Sequence, residues 1–327
     1  MPSDLLKTEL DVKHNQESQS HKWLVQNNVT NNMSRTFVSD GIEIDDVTGD
    51  ATLERGNFTL YIHQYSSLSV KDLRASFHRM IDIILIKFSE SFTPNKAIKI
   101  KVRDYMKMCN LDNIRRAREQ LKIDLDIFFN CSVSYQSQKV VKSDDCRRMH
   151  LCNSYDPLLT NSSIEIILGD EFYNQLSSNK TKRMLIPIVV LQCNFRKNPN
   201  SYFLGKKITT YDRINFNKNH NNVISIKSLL KECPKLKDWE KSQQKKRDVV
   251  QAFNRDMHFL EEQIRWEYCK AKGEPLNDKE LELIENDDFN TFINLYIKYD
   301  FTKEYVDLMN THIKPIKSRT AISKSKS

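Results

Sequence analysis

The chain has 327 residues, long for one hydrophobic core, and holds 39% apolar residues but only six glycines and eight prolines. That composition disfavours a glycine-looped nucleotide fold, a sandwich or a barrel, and favours two domains built of helices with a few strands. The formal net charge of +8 hides an asymmetry, because residues 1–55 carry five Lys/Arg against ten Asp/Glu and leave +13 for the rest, a field that attracts nucleic acid or an acidic surface.

Residues 1–52 are rich in Asn, Ser, Asp and Gln without apolar periodicity, and read as an acidic, largely disordered arm, with an inert tail the first reading and a partner-binding or autoinhibitory segment the alternative. The polar start MPSDLLKTELDVKHNQESQS has no signal peptide, and seven scattered cysteines without a CxxC pair read as reduced thiols. No window approaches the roughly 18 to 20 apolar residues of a membrane span. A cytoplasmic, nucleoid-associated protein without a membrane partner is expected.

From Gly56 the pattern changes. GNFTLYI alternates as a strand, and DLRASFHRMIDIILIKFSESF sets Leu73, Phe77, Ile81, Ile84, Leu85 and Phe88 at helical spacing. IKIKV follows as a strand, RDYMKMC as a short helix, DNIRRAREQLKIDLDIFFN as a longer helix and CSVSYQ as a strand. After the polar run SQKVVKSDDCRRMHLC come the strand SIEIILG and the helix EFYNQLSS. Helix, strand, two helices and a hairpin with a basic tip is the order of a winged helix, whose third helix enters a DNA groove while the hairpin lies along the backbone.

The order recurs. Ile100, Val102, Tyr105, Met106, Lys107 and Cys109 meet Ile224, Ile226, Leu229, Leu230, Lys231 and Cys233 at an offset of 124, and Leu121, Asp124, Leu125 and Phe128 meet Phe253, Asp256, Met257 and Leu260 at 132. The added residues fall in the polar connection KLKDWEKSQQKKR. More weakly, NPNSYFLGKKI stands where SFHRMIDII stood, and LIPIVVLQC joins the two units. The fold class is therefore α+β, mainly helical, with two tandem winged-helix domains related by a pseudo-repeat. These span residues 53–180 and 181–312, between the arm at 1–52 and a basic disordered tail at 313–327. A helix over 289–310, with Phe292, Leu295, Tyr296 and Tyr299 on one face, is expected to dock on the second unit.

In the first long helix Ile114, Ala117, Leu121, Leu125 and Phe128 form the packing stripe, which leaves Arg115, Arg118, Glu119 and Lys122 on the solvent face, Arg116 on its flank and Asn113 at the start. A helix anchored by its apolar end can offer its leading amides and guanidinium groups to phosphates or guanine edges. The second copy sets Lys245, Lys246 and Arg247 at its start and Gln251, Asn254, Arg255 and His258 away from the stripe Val249, Phe253, Met257 and Leu260. Its amide-rich face suits base readout, since Asn and Gln pair bidentately with adenine, whereas an Arg/Lys face grips phosphate. Wing candidates are Lys139, Lys142, Arg147 and Arg148, and in the second unit Arg265, Lys270 and Lys272. The alternative for each is a solvated helix face or a flexible polar hairpin.

NFTLYI, HRMIDIILIKFSE, REQLKIDLDIFF, NPNSYFLGKKI and FNRDMHFLEEQIRWEYC together resemble the replication initiator proteins of bacterial plasmids and integrative elements built from two tandem winged helices, over roughly residues 56–300. The resemblance implies a non-enzymatic protein that binds repeated origin sites on double-stranded DNA, helps open the duplex and recruits host replication proteins, with the first winged helix serving homodimerisation and backbone contact and the second base recognition. A repressor or DNA-organising protein of a mobile element is the alternative. The acidic arm and the cysteine-bearing insert over 137–156 depart from the simplest members.

Other chemistry is set aside. No HxH pair accompanies the twelve tyrosines, as a rolling-circle initiator needs, and no Walker sequence is present, so neither an enzyme nor a cofactor is expected. Cys146, His150 and Cys152, with Cys131 across a hairpin, could supply four zinc ligands, but the spacing fits no familiar finger and free thiols are the simpler reading. The acids of ELELIENDD read as a solvated linker rather than a metal site.

Overall fold

The computed structural model describes residues 20–36, 42–55, 58–67, 73–90, 96–135, 148–156, 162–178, 181–216, 218, 222–236 and 238–312. The chain folds well before residue 52. Strand β1 (His21–Gln26) and helix α1 (Asn28–Thr36) bury Leu24, Val25, Val29 and Met33, and β2 (Glu43–Ile44) and β3 (Ala51–Arg55) follow, so the expected disorder of this stretch is corrected. Its order comes from a distant partner rather than a local pattern, because β1 pairs antiparallel with residues 182–187. Residues 1–19, 37–41 and 313–327, the rest of the expected tails, lie outside the described residues.

Strand β4 (Phe58–Ile62), helix α2 (Leu73–Glu90), β5 (Ala97–Lys101), α3 (Val102–Met108) and α4 (Ile114–Phe129) follow, as the spacings predict. Then come β6 (Cys131–Tyr135), β7 (Arg148–His150), β8 (Cys152–Tyr155), β9 (Ser163–Leu168) and α5 (Asp170–Leu176). The expected hairpin between CSVSY and SIEIIL does not form. Strand β6 pairs with β4 and β7 in a five-stranded sheet ordered β2-β3-β4-β6-β7, while β9 pairs with β5 and β8 in a separate sheet ordered β5-β9-β8. Both strands alternate, and alternation names a buried face without naming a partner. The chain changes sheet at Leu151, where Gly169 fits so closely that a Cβ there would lie 2.0 Å from the His150 carbonyl oxygen.

The second half runs β10 (Lys182–Pro187), α6 (Ile188–Leu191), α7 (Ser201–Asn215), β11 (Val223–Ser225) and α8 (Ile226–Leu230). A π-helical turn, Lys246–Gln251, leads into α9 (Ala252–His258), and β12 (Ile264–Cys269), α10 (Asp278–Glu285), α11 (Phe289–Phe292), β13 (Tyr296–Phe301) and α12 (Lys303–His312) complete it. Its sheet is ordered β11-β13-β12, the same first-last-middle order as β5-β9-β8, each behind a helix pair. Two expectations are corrected here. The helix over 289–310 is broken by β13, because YIKYDF buries Ile297 and Tyr299 with a period of two, and ELELIENDD is no linker but carries α10, started by an Asn277–Glu280 capping box.

The two offsets in the sequence mark one shared device. Asp124 and Asp256 are both fully buried and occupy the same slot of α4 and α9. Asp124 accepts hydrogen bonds from Tyr105 Oη at 2.9 Å, from Gln120 Nε2 at 2.9 Å and from Ser76 of α2. Asp256 accepts from the Asn200 backbone N–H at 2.9 Å and from Asn200 Nδ2 at 2.7 Å, at the start of α7. Each carboxylate thus ties the leading end of one helix to the middle of another. Between the halves, Asp82 of α2 accepts from Tyr202 Oη at 2.6 Å and Lys206 Nζ at 2.5 Å of α7, and Arg79 donates to the carbonyls of Leu191 at 3.3 Å and Cys193 at 3.4 Å.

Burial pushes the Asp212 carboxyl up to about 6, against the bond it accepts from Tyr305 Oη at 3.2 Å and the charge of Arg213. A folded-state value above the unfolded one near 4 means that this contribution is fully present below about pH 4 and is lost as pH rises through about 6. Asp212→Asn is expected to gain stability relative to the parent at pH 7 compared with pH 4.5, read as denaturation midpoints at both pH values. An equal shift at both would count against this account.

Candidate nucleic-acid interface

Helix α4 starts where Asn113, in extended backbone, accepts the N–H groups of Arg115 at 2.9 Å and Arg116 at 3.1 Å on its side-chain oxygen. Asn113 is therefore a cap rather than a free reading group. Ala117, Leu121, Leu125 and Phe128 are fully buried, and Arg115, Arg116 and Lys122 are exposed, as the stripe requires. The Arg115 side chain is 87% exposed and pairs with Glu119 at 3.1 Å, a surface pair of about 0.3–0.5 kcal/mol. One stripe assignment and one solvent-face assignment change. Ile114 is 45% exposed because it leads the helix beyond the packed body, and Arg118 is half-buried, with Nε out of water and without an acceptor among the described residues.

The second copy carries its basic groups differently. Lys246 Nζ donates to the Asn286 carbonyl at 2.9 Å and lies 3.7 Å from Asp287, to which Gln251 Nε2 donates at 2.8 Å. Arg247 pairs with Asp248 at 2.8 Å, Arg255 with Asp256 at 3.0 Å and His258 with Glu261 at 2.8 Å, while Lys245 sits 5.0 Å from the Phe289 ring centre. Arg247, Gln251, Arg255 and His258 remain exposed. Asn254, expected on the open face, is half-buried and accepts from Tyr268 Oη of β12. The first half thus offers the less neutralised positive face, since Arg116 and Lys122 have no acid partner among the described residues.

The expected wing set is dispersed. Lys139, Lys142 and Arg147 lie outside the described residues, and Arg148 belongs to β7, where its guanidinium carbon stacks 4.2 Å from the Tyr61 ring centre in the five-stranded sheet. After α4 the antiparallel pair in the β5-β9-β8 sheet is formed by β8 and β9. In the second half Arg265 is exposed on β12, Lys270 pairs with Glu280 at 2.9 Å, and Lys272 turns the chain at a φ of 67°.

Sequence reasoning passed over Arg103 and Lys107, which are exposed on α3 at a spacing of four and border α4. Their signal was present: Val102, Tyr105 and Met108 are buried, so the opposite side of the same short helix is basic. With Met106, Asn110, Leu111, Ile114 and Gln192 they line an open groove of about 560 Å³ at the α3–α4 turn.

Six cysteines are free and buried, and Cys146 lies outside the described residues. Burial raises the Cys131 thiol well above its ordinary value and the Cys152 thiol to about 12. Among the described residues no group of three His, Cys, Asp or Glu is arranged to hold a metal, and no helix is long and apolar enough to cross a membrane.

No family model matches the sequence, and no curated protein matches it. Among solved structures the chain is similar to the Pi initiator protein in complex with iteron DNA, at 11% identity and a TM-score of 0.44, over 86% of this chain and 96% of that one. It is similar to domains 2 and 3 of RctB in a selenomethionine derivative, at 9% identity and a TM-score of 0.48, over 84% of this chain and 98% of that one. A further structure of the RctB domains 2–3 gives 9% identity and a TM-score of 0.42, with 82% and 93% covered.

Proposed function

We propose that the chain is a non-enzymatic replication initiator in which two tandem winged helices bind repeated origin sites on double-stranded DNA. The observation that carries the reading is the division of α4. Its capped start bears exposed Arg115 and Arg116, and its other end is pinned by the fully buried Leu121, Leu125 and Phe128. The same order of helices and the same sheet order recur around α9. In this reading α4 supplies mainly phosphate contacts, and Arg247, Gln251, Arg255 and His258 meet the second segment of the site, with Asn254 held back by Tyr268. The β8–β9 hairpin and the β12–β13 pair take the wing positions. Homodimerisation through the first half, recruitment of host replication proteins and association with the nucleoid complete the proposal.

The test is footprinting on the DNA that flanks its gene. Protected direct repeats at a fixed spacing, with reactive single-stranded bases beside them, are the expected result. A single protected operator without duplex opening would replace initiation by repression, and absence of protection at low salt would overturn DNA binding itself.

A further inference from the structure

We infer that the groove at the α3–α4 turn is the docking site of the chain's own segment 4–12, DLLKTELDV, which covers the start of α4 when it is seated. The groove has an apolar part and a basic rim. Met106, Leu111 and the exposed Ile114 form its apolar part, and Arg103 and Lys107 its charged rim, neither with an acceptor among the described residues. DLLKTELDV offers the complement, with Leu5, Leu6, Leu10 and Val12 interspersed with Asp4, Glu9 and Asp11 against the single Lys7.

Geometry brings the two together. The Ser20 carbonyl accepts the Ile188 N–H at 2.8 Å, so the first described residue is fastened to the start of α6. One helical turn on, the Gln192 N–H donates to the Ile188 carbonyl at 3.1 Å, and Gln192 Nε2 donates to the Lys107 carbonyl at 3.2 Å as part of the groove wall. Ser20, the residue from which the arm continues, therefore lies beside the groove. The polar stretch KHNQESQ, residues 13–19, reaches about 23 Å when extended, several times the single helical turn it has to cross. A short tether gives an effective concentration of about 1 mM, so an intrinsic Kd of about 0.2 mM suffices to keep the groove about five-sixths occupied.

The docking itself stands on the groove and the tether, and its consequence for DNA rests on the function proposed for α4. In the full chain, Leu6 is replaced by the photoreactive residue p-benzoylphenylalanine, and the adducts are mapped after irradiation. Expected are intramolecular adducts within residues 103–114 or 188–192, reduced several-fold by Arg103→Glu with Lys107→Glu. Adducts elsewhere, spread over the surface or joining two copies would overturn the docking. In parallel, Leu5→Ser, Leu6→Ser and Leu10→Ser together are expected to raise affinity for a mixed-sequence duplex about sixfold, the inverse of the free fraction. Groove adducts with unchanged DNA affinity would uphold the docking and overturn the placement of α4 on DNA. Loss of the groove adducts sinks the docking whatever the DNA titration shows.

Discussion

Replacing Arg115, Arg116 and Lys122 together by alanine is expected to weaken binding to duplex DNA about 100-fold near 0.1 M salt and to flatten the log–log salt dependence by about 2 to 3. Each neutralised phosphate contributes about 0.9 to that slope, so three contacts set both numbers. The three side chains stand clear of the core, and among the described residues only Arg115 has an acid partner, Glu119, which it can leave at small cost. Thermal stability should therefore hardly move, which separates a binding effect from unfolding. Arg247→Ala is expected to have a smaller effect, because Asp248 already neutralises part of its charge at 2.8 Å. Fluorescence anisotropy titrations at several salt concentrations read both quantities. An unchanged slope in the triple variant would remove α4 from the interface.

The elements legible in the sequence were those whose order is local. The buried spacing of α2, the stripe of α4 and the alternation of β4 each lie in one short run, and the internal offset marks α9 through Phe253, Asp256 and Met257. What stayed illegible depends on partners far along the chain. Strand β1 is held by β10, β6 by β4, and Asn254 by Tyr268, and none of these pairings leaves a trace in local periodicity. The groove escaped for a related reason, since its wall at Gln192 belongs to an element far in sequence from α3. Candidate basic residues were visible as such, but their neutralisation by Asp248, Asp287, Glu261 and Glu280 was not.

Asp256→Ala is expected to destabilise the protein by about 3–5 kcal/mol, the range for removing one partner of a buried charged network. The carboxylate is wholly buried, and its loss would strand the backbone N–H and side-chain amide of Asn200 away from water and leave Arg255 without its partner. The start of α7 would then keep only the bond from Ser201 Oγ to the residue 256 carbonyl, 2.8 Å in the parent, as its tie to that point of α9, and α7 is also the helix that holds Asp82 through Tyr202 and Lys206. The damage should accordingly reach the contact between the halves rather than stay local. Asp124→Ala removes the corresponding tie to Ser76 and Tyr105. Burial holds the Asp124 carboxyl above the usual carboxylate range, so part of its cost is the charge itself, and Asp124→Asn should be milder at pH 7 than Asp124→Ala. Urea midpoints for the three variants measure this ordering. An Asp256→Ala midpoint equal to that of the parent would mean that the paired aspartates do not hold the two helix starts, and the correspondence between the halves would lose its structural basis.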